Sequence, residues 1–474
     1  MNRRTFLKQA GLAWMVCAGI RPAVAEPRKK TNVLVILADD LSHEAVHALG
    51  NSEVQTPNLD RLAARGTVFT HAYNMGGWHG AVCVASRTML MTGAYLWRAQ
   101  KLEGRLKKEC EGGRLWPQRM AAAGYETFMA GKWHVSAPVE QAFQQTAHVR
   151  GGMPKDTPAG YDRPRDDQED TWKPWDTANG GYWEGGRHWS EVTADDGIHF
   201  LEEAREGEKP FFMYLAFNAP HDPRQAPKEY QDLYPPEKVA VPADFRPEYP
   251  DKEAIGCGPG LRDEKLAPFP RTERAVKVQR GEYYAIITHL DAQIGRVLHA
   301  LEASGRAENT VVFFASDNGL ACGHHGLFGK QNMHEHSMRV PLIAAGPGFG
   351  AGIRIDTPVY MQDMMATALE LAGISPDPAV EFHSLPPHAG GGGTPGRDSI
   401  YGAYMNLQRM VVADGFKLVY YPKTDGVLLY DLGADPLETK NLADDPAHGD
   451  TLEKLKKRLA ALQREMDDPL EPRW

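Results

Sequence analysis

Three apolar runs of β-forming residues constrain the fold of this chain more than any other feature. They lie at 33–38, 211–217 and 311–315, and no charged or amide residue interrupts them. A strand with one face in water alternates apolar and polar residues, whereas a continuous apolar run is typical of a strand buried on both faces. The three runs therefore predict parallel strands of an α/β protein, with helices covering both faces of the sheet.

Helix signals lie between these runs. Thr56 is a candidate N-cap, Pro57 stands at the first helical position and Gly66 follows the end of the pattern. A second helix is indicated by an apolar stripe that stops at Gly305 and consists of Ile286, Leu290, Ile294, Val297 and Leu301. The predicted fold class is α/β, with a large mixed, mostly parallel sheet sandwiched by helices. Because 474 residues exceed what one compact core usually holds, a second domain or an appendage is expected.

The C-terminal part shows a different pattern. Two adjacent prolines and four consecutive glycines between 385 and 396 predict a loop and a domain boundary. Beyond it, 410–420 has the pattern of a hairpin, 427–430 that of a short strand, and a closing helix is predicted from about Thr451. We therefore expect a main α/β domain over 26–395 and a small C-terminal α+β subdomain with an antiparallel sheet over 396–474.

The first 25 residues have the features of a twin-arginine export signal. Arg3 and Arg4 precede a modest apolar stretch at 10–20 and a small-residue site at 23–25. The stretch is shorter than the roughly 20 apolar residues of a membrane-spanning helix, and no later run approaches that length. The expected product is soluble and periplasmic or secreted, without a transmembrane segment. A lipid anchor on Cys17 is the alternative, although Ala-Trp-Met-Val before it is a poor lipobox.

Charge and cysteine content exclude several classes of function. The chain has 53 Lys and Arg against 62 Asp and Glu, a formal net charge of −9, which argues against a nucleic-acid partner. Apart from Cys17 and Cys83, the cysteines are Cys110, Cys257 and Cys322. Three such scattered residues are too few for a disulfide framework or a zinc knuckle, and spacing does not say which two would form a single bridge.

Acidic residues follow two of the predicted strands. Asp39 and Asp40 come after the first run, and Asp317 and Asn318 follow the run at 311–315. Ligands of open α/β sheets bind beyond the carboxyl ends of the strands, so these side chains can meet around one point. Oxygen ligands without thiolates suit Ca²⁺ or Mg²⁺ rather than zinc. An Asp pair at a strand end is also common as a helix cap or turn, but two such groups favour a metal site.

Cys83 lies in the segment Cys-Val-Ala-Ser-Arg at 83–87, and with the upstream carboxylates this resembles the formylglycine-dependent sulfatases of the alkaline phosphatase superfamily. In that family the cysteine of a Cys-x-Pro/Ala-x-Arg segment is oxidised to an aldehyde. Ala85 stands where the commonest form of the motif has proline, so the identity of the maturation enzyme stays open. The resemblance implies hydrolysis of sulfate esters by a formylglycine gem-diol made from Cys83, and a twin-arginine route would carry the protein folded, after oxidation in the cytoplasm.

The resemblance extends along nearly the whole mature chain. The segment 124–134 is similar to the second sulfatase signature and supplies Lys132 and His134, while 218–221 supplies His221 and 323–330 supplies Lys330. Singly, such residues are more often surface charges or loop histidines. The implied catalytic set is Cys83, Arg87, Lys132, His134, His221 and Lys330. The implied metal ligands are Asp39, Asp40, Cys83, Asp317 and Asn318, with Ca²⁺ as the expected ion and Mg²⁺ as the alternative.

The substrate is the least constrained part of this interpretation. Family analogy implies a sulfated glycan cleaved in exo fashion, with Arg224, His79 and His325 as candidate substrate contacts. Four tryptophans could stack on a sugar ring or simply pack a long loop: Trp172, Trp175, Trp183 and Trp189.

Three other functions are compatible with the same residues. One is hydrolysis of phosphodiesters or phosphonate monoesters in the same superfamily, since phosphoryl and sulfate groups share tetrahedral oxygen geometry. Another is a non-catalytic glycan-binding protein with an unmodified Cys83 thiol, although such a protein needs no acid–base set. The third is hydrolysis of small choline-type esters, for which an aromatic cage would be expected.

Overall fold

The computed structural model describes residues 30–152, 157–385 and 396–474. The strands follow in chain order: β1 (Asn32–Ala38), β2 (Thr67–Phe69), β3 (Ala72–Tyr73), β4 (Gly76–Gly77), β5 (Glu126–Lys132), β6 (Gln145–Arg150), β7 (Phe211–Ala216), β8 (Thr310–Ser316), β9 (Arg339–Val340), β10 (Leu342–Ala345), β11 (Ile353–Ile355), β12 (Val359–Tyr360), β13 (Ser399–Tyr404), β14 (Gln408–Ala413), β15 (Phe416–Tyr421) and β16 (Gly426–Asp431).

The α-helices alternate with these strands and, in chain order, are α1 (Pro57–Arg65), α2 (Val82–Thr92), α3 (Leu96–Glu103), α4 (Leu106–Glu111), α5 (Trp116–Ala122), α6 (Val139–Ala142), α7 (Trp189–Glu206), α8 (Lys228–Gln231), α9 (Glu273–Ala303), α10 (Glu335–Met338), α11 (Asp363–Leu371) and α12 (Gly449–Glu465). Short 3₁₀ turns connect several of them. Across the described residues, no helix is long and apolar enough to cross a membrane.

The main sheet has eight strands in the order β11-β2-β10-β8-β1-β7-β5-β6. The pairings from β8 to β6 are parallel, and β10 runs antiparallel to both of its neighbours. Every residue of β1, β7 and β8 is buried, as expected for strands covered on both faces. The large mixed, mostly parallel sheet predicted from the three apolar runs is confirmed.

Two separate apolar layers cover this sheet. One contains Leu34 and Ile36 of β1 with Ile286 and Leu290 of α9, and the other contains Val33 and Val35 with residues of α5 and α11. The alternation of β1 side chains between the two layers follows from the two-residue period of a strand. Helix α9 is longer than its apolar stripe predicts, since it begins at Glu273, where the Thr272 side chain caps the Ala275 N–H.

The C-terminal residues form the predicted antiparallel sheet, with the hairpin β14–β15 and the strand β16. A fifth member comes from far upstream, because β4 pairs with β13 and forms one edge of the sheet. This sheet, α2, α3 and α12 share one apolar cluster. The predicted boundary at 395 and the signal at 1–25 lie outside the described residues, and both stay predictions.

Candidate active site

The pairing of β1 with β8 brings two acidic strand ends together. These strands are parallel neighbours, so Asp39 and Asp40 follow one at the edge where Asp317 and Asn318 follow the other. The Asp40 N–H donates to Asp317 Oδ1 at 3.2 Å. All four side chains are buried. The structure thus brings together the four side chains that were predicted to lie close to one another because they follow buried strands.

Helix α2 delivers Cys83 to the same point. It begins at Val82, so Cys83 lies in its first turn, and the side chain is buried. Its Sγ lies 3.3 Å from Asp39 Oδ1 and 3.7 Å from Asp40 Oδ1, and Asn318 Nδ2 is 3.6 Å away. Burial, together with the negative charges of Asp317 and Asp39, raises the pKa of the thiol well above its usual value. An unmodified Cys83 is therefore a poor nucleophile.

Three cations balance the carboxylates. Arg87, one turn after Cys83, donates through Nε to Asp317 Oδ2 at 2.8 Å and through Nη1 to the carbonyl of Lys132 at 2.7 Å. Lys132, at the end of β5, forms an ion pair with Asp39. Lys330 pairs with Asp40 and lies 3.2 Å from Cys83 Sγ. These contacts bring Arg87, Lys132 and Lys330 into one network with the carboxylates.

The electrostatics of the site fit a divalent cation. Burial would raise the pKa of Asp39, but the charges of Lys132, His221 and Arg87 hold it well below its usual range. For Asp40, the effect of burial exceeds that of the neighbouring cations and raises the pKa to about 6. Ligand atoms of Asp39, Asp40, Cys83 and His221 lie within 4.8 Å of one another. Carboxylate oxygens of this kind suit Ca²⁺ or Mg²⁺, and a bound cation would offset the burial that raises the pKa of Asp40.

His221 connects the carboxylates to the cavity. Its Nδ1 lies 2.8 Å from Asp222 Oδ1, and its Nε2 lies 3.1 Å from Lys330 Nζ and 3.3 Å from Asp40 Oδ2. A histidine held through Nδ1 by a carboxylate has its Nε2 oriented for proton transfer. His134 also lines the cavity and has a φ of 52°, and burial next to Lys132 lowers its pKa to about 3.

A cavity of about 220 Å³ opens onto Cys83. Its wall consists of Gly80, Ala81, Cys83, His134, His221, Leu261, Arg262, Asp263, Lys330 and Gln331. A larger cavity of about 500 Å³ lies near Arg65, Leu298 and Phe349. We assign the site to the smaller one because it contains Cys83 and the histidines.

Sequence reasoning missed Arg262. This side chain is 35% exposed, and its Nη2 lies 3.2 Å from His221 Nε2 and 2.7 Å from Asp263 Oδ1. No motif marks it, because it precedes a 3₁₀ turn in a loop without periodicity. The one feature of the sequence that could have indicated Arg262 is the acidic residue directly after it, Asp263. The guanidinium places a positive charge in the wall of the cavity.

The three predicted substrate contacts lie in different surroundings. Arg224 is 2% exposed, donates to Gln279 and contacts the ring of Tyr283, so it packs against α9 instead of lining the cavity. His325 is 1% exposed and belongs to a separate histidine cluster. The positions of Arg224 and His325 therefore do not fit a substrate contact. His79 is partly exposed, and its Nδ1 accepts the N–H of Ala81 beside the cavity.

The other cysteines form no disulfide among the described residues, and the loop tryptophans differ in exposure. Cys83, Cys110, Cys257 and Cys322 are free thiols. Two of the four tryptophans, Trp172 and Trp189, are buried by packing, while Trp175 and Trp183 are about one third exposed.

Comparison with known proteins agrees with this geometry. The family profile "Sulfatase" matches residues 31–374, and "N-sulphoglucosamine sulphohydrolase, C-terminal" matches 323–465. An arylsulfatase of Clostridium perfringens is 28% identical, with 91% of this chain and 94% of that protein covered. An N-acetylglucosamine-6-O-sulfatase of Bacteroides thetaiotaomicron is 24% identical, with 98% and 91% covered.

Solved structures share the fold. One, a protein in complex with its substrate D-glucosamine-2-N,6-O-disulfate, superposes with a TM-score of 0.71 at 22% identity, covering 94% of this chain and all of the other. A phosphonate monoester hydrolase of Agrobacterium radiobacter superposes with a TM-score of 0.67 at 21% identity, covering 92% and 96%. With a family profile that matches most of its length, this chain belongs to the sulfatase family and is a sulfuric ester hydrolase.

Proposed function

We propose that this sulfatase removes a sulfate ester from the end of a glycan, with Cys83 converted to formylglycine. The observation that carries the proposal is the position of Cys83, at the inner end of a small cavity between carboxylates and cations. A thiol in these surroundings is held in its neutral form. The family motif and this burial both favour a modified side chain over a free thiol as the nucleophile.

The modified residue would supply chemistry that cysteine and serine lack. Hydrated, the aldehyde offers two hydroxyl groups, one for attack on sulfur and a second whose proton loss releases sulfate. Arg87 and Lys330 lie close enough to residue 83 to stabilise negative charge there. His221, whose Nδ1 is held by Asp222, is the candidate that protonates the leaving oxygen. His134 faces the cavity as a neutral base.

A divalent ion belongs to this proposal. Asp39, Asp40, Asp317 and Asn318, with residue 83, would hold it, and Ca²⁺ fits the oxygen donors, with Mg²⁺ as the alternative. When bound, the ion supplies Lewis-acid polarisation of the oxygens beside it. Lys132 and Arg87 hold Asp39 and Asp317 in place through their ion pairs.

The cavity favours a terminal, anionic sugar. Its volume of about 220 Å³ lies below the roughly 300–1,000 Å³ of pockets that enclose drug-sized ligands, so it accepts a chain end. Arg262 can pair with a carboxylate or second sulfate on the leaving sugar. Among the described residues that line this cavity there is no Phe, Tyr or Trp, which argues against a cage for choline. Relatives named for N-acetylglucosamine and ulvan sulfates support a glycan substrate.

The proposal also includes export of the protein from the cytoplasm. The Arg3-Arg4 segment and the small-residue site at 23–25 support twin-arginine export to the periplasm or beyond. Oxidation of Cys83 by a formylglycine-forming enzyme would then precede export. A fusion of residues 1–25 to a folded reporter tests this route, because Arg3→Lys with Arg4→Lys should then leave the reporter in the cytoplasm.

The replacement Cys83→Ser tests the nucleophile. We expect turnover to be abolished, because serine has one hydroxyl group and cannot release sulfate by the same route. The measurement is sulfate release over many turnovers, with the mass of the residue-83 peptide establishing the aldehyde in the parent enzyme. Multiple turnovers by the serine variant would contradict the formylglycine assignment.

Substrate class is tested with the aldehyde-bearing enzyme on a panel of sulfated mono- and oligosaccharides, choline sulfate and a phosphonate monoester. We expect release from a terminal sugar with a second anionic group, and none with Cys83→Ala. Arg262→Leu should raise KM for that substrate about tenfold or more and leave KM for a monosulfated neutral sugar nearly unchanged. Preference for choline sulfate or the phosphonate would overturn the glycan assignment.

A further inference from the structure

Four histidines that the proposed reaction does not use pack together beside the segment that carries Lys330. The ring centroids of His325 and His334 are 4.2 Å apart. His336 stacks 5.6 Å from His334, and His324 stacks 5.4 Å from His336. All four side chains are buried. A buried imidazole contributes little to apolar packing, but its ring nitrogens are strong metal ligands. The cluster of four buried histidines therefore indicates a binding function.

A carboxylate from the C-terminal sheet reaches this cluster. Glu438 follows β16, is 2% exposed and has a φ of 56°, a backbone conformation that few residues other than glycine adopt. One ring nitrogen of His325, one of His334 and a carboxylate oxygen of Glu438 lie within 4.8 Å of one another. Strained backbone of this kind persists where the surroundings require a side chain at a fixed place.

The two histidines present ring nitrogens that lack hydrogen bonds. His325 Nε2 lies 3.2 Å from Asp244 Oδ2 and His334 Nδ1 lies 3.3 Å from Glu438 Oε2, but neither contact has hydrogen-bond geometry. The other nitrogen of His334 contacts the Tyr249 hydroxyl at 3.3 Å. Such an outer contact fixes which nitrogen faces the cluster, as it does in metal-binding histidines.

We propose that His325, His334 and Glu438 bind a divalent cation of the Zn²⁺ class. Imidazole and carboxylate ligands suit Zn²⁺ and its transition-metal neighbours, whereas Ca²⁺ and Mg²⁺ select oxygen donors. The site is therefore chemically distinct from the oxygen cluster at Asp39 and Asp40. A water or Asp244, whose Oδ2 is near His325 Nε2, supplies the fourth ligand.

Binding requires a small rearrangement. The planes of the His325 and His334 rings are 19° apart, so one ring must turn about its χ2 torsion before both aim lone pairs at one ion. Ligand distances of about 2.0–2.2 Å also draw the three groups inward. Lys417 Nζ, 2.8 Å from Glu438 Oε1, offsets part of the negative charge of Glu438 and Glu335, and Asp244 is shared with His324, whose Nδ1 lies 2.8 Å from its Oδ1.

The site joins two parts of the chain. His325 and His334 lie on either side of Lys330 in the sequence, whereas Glu438 lies in the loop after the last strand of the C-terminal sheet. A bound ion would fasten the segment with Lys330 to that sheet, in addition to the contact of Lys417 Nζ with the Met333 carbonyl at 3.0 Å. The ion is thus structural and takes no part in sulfate transfer.

Titration of metal-free protein with Zn²⁺ alone tests the proposal. Calorimetry should give one Zn²⁺ per chain that a large excess of Ca²⁺ does not displace, and the melting temperature should rise with Zn²⁺. Glu438→Gln and His334→Ala should each weaken binding at least tenfold and remove that rise. Asp39→Asn, in the oxygen cluster, and His299→Ala, an exposed histidine on α9, should bind as the parent does.

Co²⁺ gives a readout that does not depend on the folding of any variant. The parent protein should show the intense visible absorption of four-coordinate Co²⁺ at one equivalent, and Zn²⁺ should abolish it. Absence of that band, or unchanged Zn²⁺ affinity in a folded Glu438→Gln protein, would overturn the proposal. Loss of binding in Asp39→Asn would likewise overturn it by assigning the ion to the oxygen cluster.

Discussion

Two residues of the catalytic site, Asp40 and His134, have left-handed backbones, with φ of 68° and 52°. Such conformations are uncommon outside glycine and cost on the order of 1–3 kcal/mol. Hydrogen bonds to the backbone of Asp40 and of His134 hold both residues in place. The Asp40 carbonyl accepts the Tyr283 hydroxyl at 2.7 Å, and the His134 N–H donates to the Gly151 carbonyl at 3.0 Å. At these two positions the left-handed backbone belongs to residues of the catalytic site.

At this scale, the pKa of His134 leads to a prediction about pH. Burial and the neighbouring Lys132 and Arg87 lower it to about 3, so the ring is neutral throughout the range from pH 4 to 8. We expect His134→Ala to lower kcat about 10²–10⁴-fold, the usual contribution of a proton-transfer residue. The acid limb of the kcat profile should not move, because His134 does not titrate there.

The measurement is kcat from pH 4 to 8 for the parent and the variant, with His299→Ala as a control for loss of a surface histidine. An acid limb that disappears or shifts in His134→Ala would show that His134 is protonated within this range, contrary to its surroundings.

Among the elements, β5 places Lys132 by means of an irregularity. Its register with β6 shifts between Ala130 and Gly131, where Gly131 has a φ of 93°. A side chain there would put Cβ 2.0 Å from the Ala216 carbonyl oxygen of β7. Lys132 follows directly and reaches Asp39. The absence of a side chain at 131 is thus required for the position of Lys132.

We predict that Gly131→Ala lowers the free energy of unfolding by about 3 kcal/mol or more, because it combines a left-handed backbone with a backbone clash. Gly124→Ala is the matched control, since Gly124 has a φ of 90° but open space around it, and should cost about 1 kcal/mol. Denaturant unfolding and kcat measure both. Equal losses in the two variants would show that β7 yields to the added methyl group.

The elements also show which parts of the site were predictable. The proximity of Asp39 and Asp317 was predictable, because the carboxyl ends of neighbouring parallel strands meet at one edge of the sheet. Arg262 was not, since it lies in a loop and is brought to His221 by tertiary packing alone. Arg224, only three residues after His221, was predicted as a substrate contact, yet the chain turns it onto α9. Nearness in sequence does not determine side-chain direction in a loop.

For the molecule as a whole, the C-terminal sheet packs against helices of the preceding part of the chain. One buried contact shows how it is held: Arg409 of β14 donates to both oxygens of Asp468, at 2.6 and 2.7 Å, with both side chains fully buried. Asp468 also accepts from Tyr401 of β13, which in turn accepts from Trp97 of α3. This network links the end of the chain to a helix adjoining α2.

We predict that Asp468→Asn lowers the free energy of unfolding by about 3–5 kcal/mol, because it leaves the Arg409 charge buried without its partner. The neighbouring Asp467 makes only exposed ion pairs, so Asp467→Asn should cost less than about 1 kcal/mol. Chemical denaturation followed by tryptophan fluorescence checks both. A separate early transition in Asp468→Asn, with kcat retained, would mean that the C-terminal sheet unfolds alone.

The pairing of β4 with β13 sets an order of events during synthesis. The segment that leads into Cys83 lacks its partner strand until roughly 320 further residues have left the ribosome, on the order of 15–60 s at ordinary elongation rates. During that interval Cys83 is not enclosed by the completed core that finally leaves it 2% exposed. A modifying enzyme that needs an open thiol therefore has a kinetic window, which closes when the last strands arrive.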